Sequence, residues 1–126
     1  MAETTEKQKV LIVDDVPQNI TVLNEILRST YSVSAATSGA KALAITRSAK
    51  PPDLILLDIM MPEMDGYEVL RQLKADEQTR NIPVILVTAK GEIEDKIAGY
   101  DLGATDYLTK PVDPAFALDV VKKNLP

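Results

Sequence analysis

Residues 52–66 read PDLILLDIMMPEMDG, and this stretch decides the fold. Leu54–Leu57 are apolar at every position, and a carboxylate, Asp58, follows directly. A half-buried strand alternates apolar and polar side chains, whereas an unbroken apolar run marks a strand covered on both faces. Such strands belong to parallel sheets flanked by helices. Past the loop, Asp65 and Glu68 have the spacing of a capping box. A helix therefore starts near Gly66 and turns Val69, Leu70 and Leu73 inward. Val84–Val87 repeats the all-apolar pattern, so two strands occupy the centre of the sheet.

Outward from this centre, strands and helices alternate. KVLIVDD is a short β-branched run ending in two acids. Pro17 suits the first turn of a helix whose Ile20, Leu23, Ile26 and Leu27 form one stripe. YSVSA alternates as a strand, and SGAKALAITRSAK (38–50) reads as a helix with Ser38 as N-cap and Leu43 and Thr46 three apart. NIPVILVTA holds the fourth strand. EIEDKIAGYDLG (92–103) reads as a helix with Ile93, Ile97 and Tyr100 on one side and Gly103 as its stop. TDYLTKP is the last strand, and the last helix has Asp113 as N-cap and Pro114 behind it. Five strands and five helices in alternation give an α/β, doubly wound (βα)5 three-layer sandwich with a parallel five-stranded sheet. Ligands in such folds bind at the carboxyl ends of the strands.

Composition narrows the chemistry. The 126 residues suit one domain: a tail over 1–8 and a single unit over 9–126. Without cysteine there is no thiolate chemistry, and without histidine no imidazole base or ligand. The net charge of −5, with no basic block, argues against direct nucleic-acid binding. No apolar run reaches a membrane span and the N-terminus does not read as a signal peptide, so a cytoplasmic location is expected.

The strand ends carry the site. The first strand delivers Asp14 and Asp15, the third Asp58, the fourth Thr88 and Ala89, and the fifth Lys110 and Pro111. Carboxylates crowded together raise one another's pKa, and a divalent cation relieves the repulsion. With oxygen ligands alone, Mg²⁺ fits best; Mn²⁺ would also serve and Ca²⁺ stays open. A metal and a lysine beside a carboxylate, with a hydroxyl next to them, describe a phosphoryl site with Asp58 as nucleophile. Ala89 is small, so its backbone N–H can approach a phosphoryl oxygen. The competing nucleotide-loop reading is weak, because the turn after the first strand, DDVPQN, holds no glycine.

LIVDDVPQN, PDLILLDIMMPEMDGYEV, IPVILVTAK and GATDYLTKP together resemble the receiver domain of bacterial two-component response regulators, from about Lys9 to Leu125. The resemblance implies the strand order 2-1-3-4-5. It implies Asp58 as the phosphoacceptor for a sensor histidine kinase or phosphotransfer protein. Asp15 and Asp58 would hold Mg²⁺ directly, Asp14 mainly through water, and Met60 would add its main-chain carbonyl. Thr88 would bind the phosphoryl group, Tyr107 would be the switch aromatic, and Lys110 the site lysine, with a cis bond to Pro111. Self-phosphorylation from small donors and autodephosphorylation are implied, but no turnover of a separate substrate. The face over Glu92–Lys123 would then shift between two packings and control an output domain, a downstream protein or a second copy of the domain. Phe116, Ile97 and Tyr100 are candidates to feel that shift, with core packing as the simpler account of each.

Plainer readings hold for several residues. Asp65 and Asp113 read as helix caps, Glu92, Glu94 and Asp95 as a solvated helix start, and Met60, Met61 and Met64 as loop packing. Met60 and Lys90 flank the expected path of hydrolytic water, which predicts a long-lived phosphorylated state. Two other function classes use the same residues: a pseudo-receiver that binds partners without phosphorylation, and an aspartyl phosphohydrolase. The intact acid, hydroxyl and lysine set argues against the first. Met60, where the second needs an acid, argues against the other. No output domain is expected within the chain, although its motifs are similar to those of receivers joined to cyclic-di-GMP or histidine-kinase modules.

Overall fold

The computed structural model describes residues 7–89 and 101–125. The elements run β1 (Lys9–Val13), α1 (Pro17–Leu27), β2 (Ser32–Ala36), α2 (Gly39–Thr46), β3 (Leu54–Asp58), α3 (Gly66–Ala75), β4 (Val84–Ala89), β5 (Asp106–Lys110) and α4 (Pro114–Asn124). All neighbouring strands are parallel, in the order β2-β1-β3-β4-β5. This is the doubly wound order expected above. Of the helix expected over 92–103, residues 92–100, with Ile93, Ile97 and Tyr100, lie outside the described residues, as do Lys90 and residues 1–6 of the N-terminal tail; Gly103, its expected stop, is left-handed with φ of 104°.

Side-chain alternation along the strands sorts the core into two layers. Leu11, Val13, Ile55, Leu57, Val84 and Leu86 face α2 and α3, where they meet Leu43, Val69, Leu70 and Leu73. Val10, Ile12, Leu54, Leu56, Ile85 and Val87 face the other way, onto Leu23 and Leu27 of α1 and Ala117, Val120 and Val121 of α4. Every residue of β3 is buried, which is why its sequence is apolar from Leu54 to Leu57 and polar only at Asp58, its carboxyl end.

Local chemistry sets the helix ends. Pro17 opens α1, Ser38 accepts a hydrogen bond from Lys41 N–H at 3.2 Å, and Asp113 accepts from Phe116 N–H at 2.9 Å. At α3 the capping box is half made: Asp65 accepts from Glu68 N–H at 3.0 Å, while the Glu68 carboxylate turns to Arg71 and Gln72. Two boundaries differ from the sequence reading. The helix expected over 38–50 ends at Thr46, because the Thr46 and Ser48 hydroxyls bond the carbonyls of Leu43 and Ile45. The second strand starts at Ser32, leaving Tyr31 buried in the turn after α1. Among the described residues, no helix is long and apolar enough to cross a membrane.

Candidate functional site

Parallel register brings the strand ends to one rim. β1 pairs with β3 through Val13↔Leu57, β3 with β4 through Asp58↔Val87, and β4 with β5 through Ala89↔Lys110. Asp14 follows β1 directly, and its N–H donates to Ala36 O at 3.1 Å, extending the ladder by one bond. Oxygens of Asp14, Asp15 and Asp58 lie within 4.8 Å of one another. Lys110 reaches across from β5, with Nζ 3.1 Å from Asp58 Oδ1 and 3.4 Å from Asp14 Oδ2. Asp14 and Asp58 are buried, and Asp15 is partly exposed at the mouth.

Burial pushes the Asp58 carboxyl above the usual carboxylate range, and the Asp14 charge pushes it the same way. The Lys110 hydrogen bond and charge pull it back only in part, and Asp15 adds a further push. For Lys110, partial burial alone would lower the ammonium, but Asp58 and Asp14 outweigh it and hold it above its ordinary value. Three carboxylates thus face one ammonium, an oxygen-only donor set with excess negative charge. That set fits a hard divalent cation, and Mg²⁺ in particular. Asp14 has both oxygens engaged, Oδ1 by Val16 N–H at 2.9 Å and Oδ2 by Lys110.

The loop after Asp58 is held from below. Ile59 and Met61 are buried, whereas Met60 is 76% exposed and so does not pack in the loop as expected. Gly66 N–H donates to Ile59 O at 2.9 Å. A Cβ on Gly66 would lie 2.8 Å from Ile59 Cα and closer still to the Asp58 carbonyl oxygen. Glu63 takes a left-handed conformation, with φ of 67°. Nothing in the sequence signals this, since glutamate is not a residue that favours it.

The remaining expected residues lie in β4 and β5 or directly after β5. Thr88 is buried in β4, opposite Thr109 of β5. Ala89 closes β4 beside Lys110. Tyr107 is buried and packs into the α2–α3 layer of the core. The Lys110–Pro111 bond is cis. One neighbouring feature had no signature in the sequence: a cleft of about 460 Å³ between α1 and the turn after β5. Asp14 and Lys110 form part of its wall.

A family model described as the response regulator receiver domain matches residues 10–122. A Vibrio cholerae protein named a probable cyclic di-GMP phosphodiesterase is 50% identical over 103 residues, which are 82% of this chain and 23% of that relative. Protein PilH of Pseudomonas aeruginosa is 42% identical over 118 residues, covering 93% of this chain and 97% of PilH. The chain thus spans about a quarter of one relative's length and nearly all of the other's. Among solved structures, the receiver domain of the sensor histidine kinase PA1611 from Pseudomonas aeruginosa, with a magnesium ion coordinated in its active site cleft, superposes with a TM-score of 0.83. It is 33% identical, over 94% of this chain and 97% of that one.

Proposed function

The chain belongs to the response regulator receiver domain family of two-component systems, and on that premise we propose that Asp58 accepts a phosphoryl group from the phosphohistidine of a sensor histidine kinase or phosphotransfer protein. One observation carries this reading: the buried Asp58 carboxylate faces Lys110 within a ring of two further carboxylates. In the transfer, an Asp58 oxygen forms a bond to phosphorus and the phosphorus–nitrogen bond of the donor breaks. The electron pair stays on the imidazole, which then takes up a proton from solvent. Lys110 offsets the charge that builds on the equatorial oxygens. The Thr88 hydroxyl and the Ala89 N–H donate to the bound phosphoryl group.

Asp15, Asp58 and the Met60 carbonyl would hold Mg²⁺ directly. Asp14 would reach it through water, since its own oxygens already serve Val16 and Lys110. Bound there, Mg²⁺ supplies charge neutralisation for the incoming phosphoryl oxygens and orients them. Tyr107 is the switch aromatic and couples the site to β5, α4 and the segment before them. A partner docks on that face: an output domain, a downstream protein or a second copy. Residues 9–126 form the receiver unit, acting in the cytoplasm. Its relatives' lengths fit both a self-standing regulator and a receiver joined to further domains.

The test is intact mass after incubation with Mg²⁺ and acetyl phosphate, for the wild type and Asp58→Asn. Gain of one phosphoryl group by the wild type alone is the expected result. No gain with acetyl phosphate or with a panel of histidine kinases, at saturating Mg²⁺, would overturn the reading.

A further inference from the structure

The cleft beside the acceptor has two kinds of wall. Its apolar wall is built by Val22 and Leu23 of α1, Val87 of β4, and Pro111 and Val112 after β5. Its polar lining residues are Asp14, Lys110 and Asn19, and Lys110 Nζ lies 3.4 Å from Asp14 Oδ2. Leu23 and Val87 are buried, while Val22 is 52% exposed at the mouth. At about 460 Å³ the cleft falls within the range of small-molecule pockets, mostly apolar with a few fixed polar groups. An ammonium there suits a phosphoryl oxygen, and the wall beyond it suits hydrocarbon rather than water.

We propose that this cleft receives the hydrocarbon part of a small acyl phosphate, so that the chain prefers short-chain acyl phosphates larger than acetyl phosphate as direct donors. The proposal rests on Asp58 being the acceptor and adds which donor it selects. In the reaction, an Asp58 oxygen bonds to phosphorus, and the bond between phosphorus and the donor's acyl oxygen breaks. That oxygen keeps the electron pair and leaves as a carboxylate, so no proton is transferred and the charge balances. The leaving carboxylates of acetyl, propionyl and butyryl phosphate are chemically alike. Differences in rate along the series therefore report binding of the chain and not leaving-group reactivity.

The experiment measures the apparent second-order rate constant for phosphorylation with acetyl, propionyl and butyryl phosphate, by intact mass at saturating Mg²⁺. Each added methylene should raise it about two- to four-fold, for half to full burial of that group. Val22→Asn, uncharged and close in volume, should flatten the series, read as the ratio of the butyryl to the acetyl phosphate rate within each protein; Val22 is exposed, so the fold tolerates the change. Independently, butylphosphonate should shift the methyl NMR signals of Val22, Val87 and Val112 at lower concentration than methylphosphonate does. Equal or falling rates along the series in a protein that acetyl phosphate does phosphorylate would overturn the donor preference and leave the acceptor reading intact. A rising series that survives Val22→Asn, or equal shifts from the two phosphonates, would overturn the assignment to this cleft. No transfer from any donor would overturn both.

Discussion

Replacing Gly66 with alanine probes how tightly the acceptor loop is clamped. Gly66 is the first residue of α3, and its Cα sits over the backbone of Asp58 and Ile59. An added Cβ would stand 2.8 Å from Ile59 Cα and nearer still to the Asp58 carbonyl. Both are backbone atoms, and Asp58 is paired in the sheet with Val87, so no side-chain rotation relieves the clash. Overpacking costs about 1–3 kcal/mol where side chains can adjust, so a rigid site belongs near the top of that range. Alanine returns at most about 1 kcal/mol of helix propensity over glycine. The balance is a loss of about 2 kcal/mol, equivalent to a Tm lower by about 8 °C for a domain of this size. Urea unfolding followed by circular dichroism measures it, with the slope m expected to stay constant. The α3 N-terminus must also lift, which loosens the Gly66–Ile59 bond, so phosphorylation by acetyl phosphate should slow even well below the Tm. An unchanged or higher Tm for Gly66→Ala would refute the clamp.

Other expectations follow from the same geometry. Asp58→Asn removes a buried charge that its neighbours oppose, so in metal-free buffer its Tm should exceed that of the wild type, and Mg²⁺ should stabilise the wild type more. Asp106 is held below the usual carboxylate range: burial pushes it up, but bonds from Asn124, the Tyr107 N–H and Lys123 outweigh that. A depressed carboxylate stabilises the fold above its unfolded pKa and loses that contribution as pH falls through the folded value. Asp106→Asn should therefore cost about 1–2 kcal/mol at pH 7 and progressively less below about pH 4, read from urea unfolding across pH. Glu63→Gly relieves a left-handed glutamate and should stabilise the fold by about 0.5–1 kcal/mol in the same assay, glycine's added chain entropy offsetting part of the gain. Replacing Met60 and Lys90 together with small or acidic residues should shorten the phosphorylated lifetime, followed by mass after donor removal; an unchanged decay rate would refute their shielding role.

Much of this was legible because the site lies on strand ends. An apolar run that stops at an acid specifies the strand, its burial and the position of the acid together, and Asp58 in β3 is the result. Lys110 was placed by the same logic at the far end of β5. What stayed hidden depends on contacts between distant segments. The 38–50 helix stops early because hydroxyls compete for its carbonyls, a choice that propensity alone does not fix. Gly39 gave no special signal, yet a Cβ there would lie 2.8 Å from Val69 Cγ2 and 2.9 Å from Met64 Sδ, across to α3 and the acceptor loop. The left-handed Glu63 and the cleft beside α1 likewise arise from packing and have no local pattern.

The Lys110–Asp58 and Lys110–Asp14 pairs join residues 52 and 96 positions apart. During synthesis the acceptor and its acidic neighbours leave the ribosome well before the lysine that offsets them. A nascent chain ending before β5 carries three carboxylates without their ammonium, and β4 without its outer partner strand. The acceptor centre is therefore completed by the last of this sheet's five strands to be made. On the proposed function, a chain that stops before β5 would display Asp58 without the ammonium that offsets charge in the transfer.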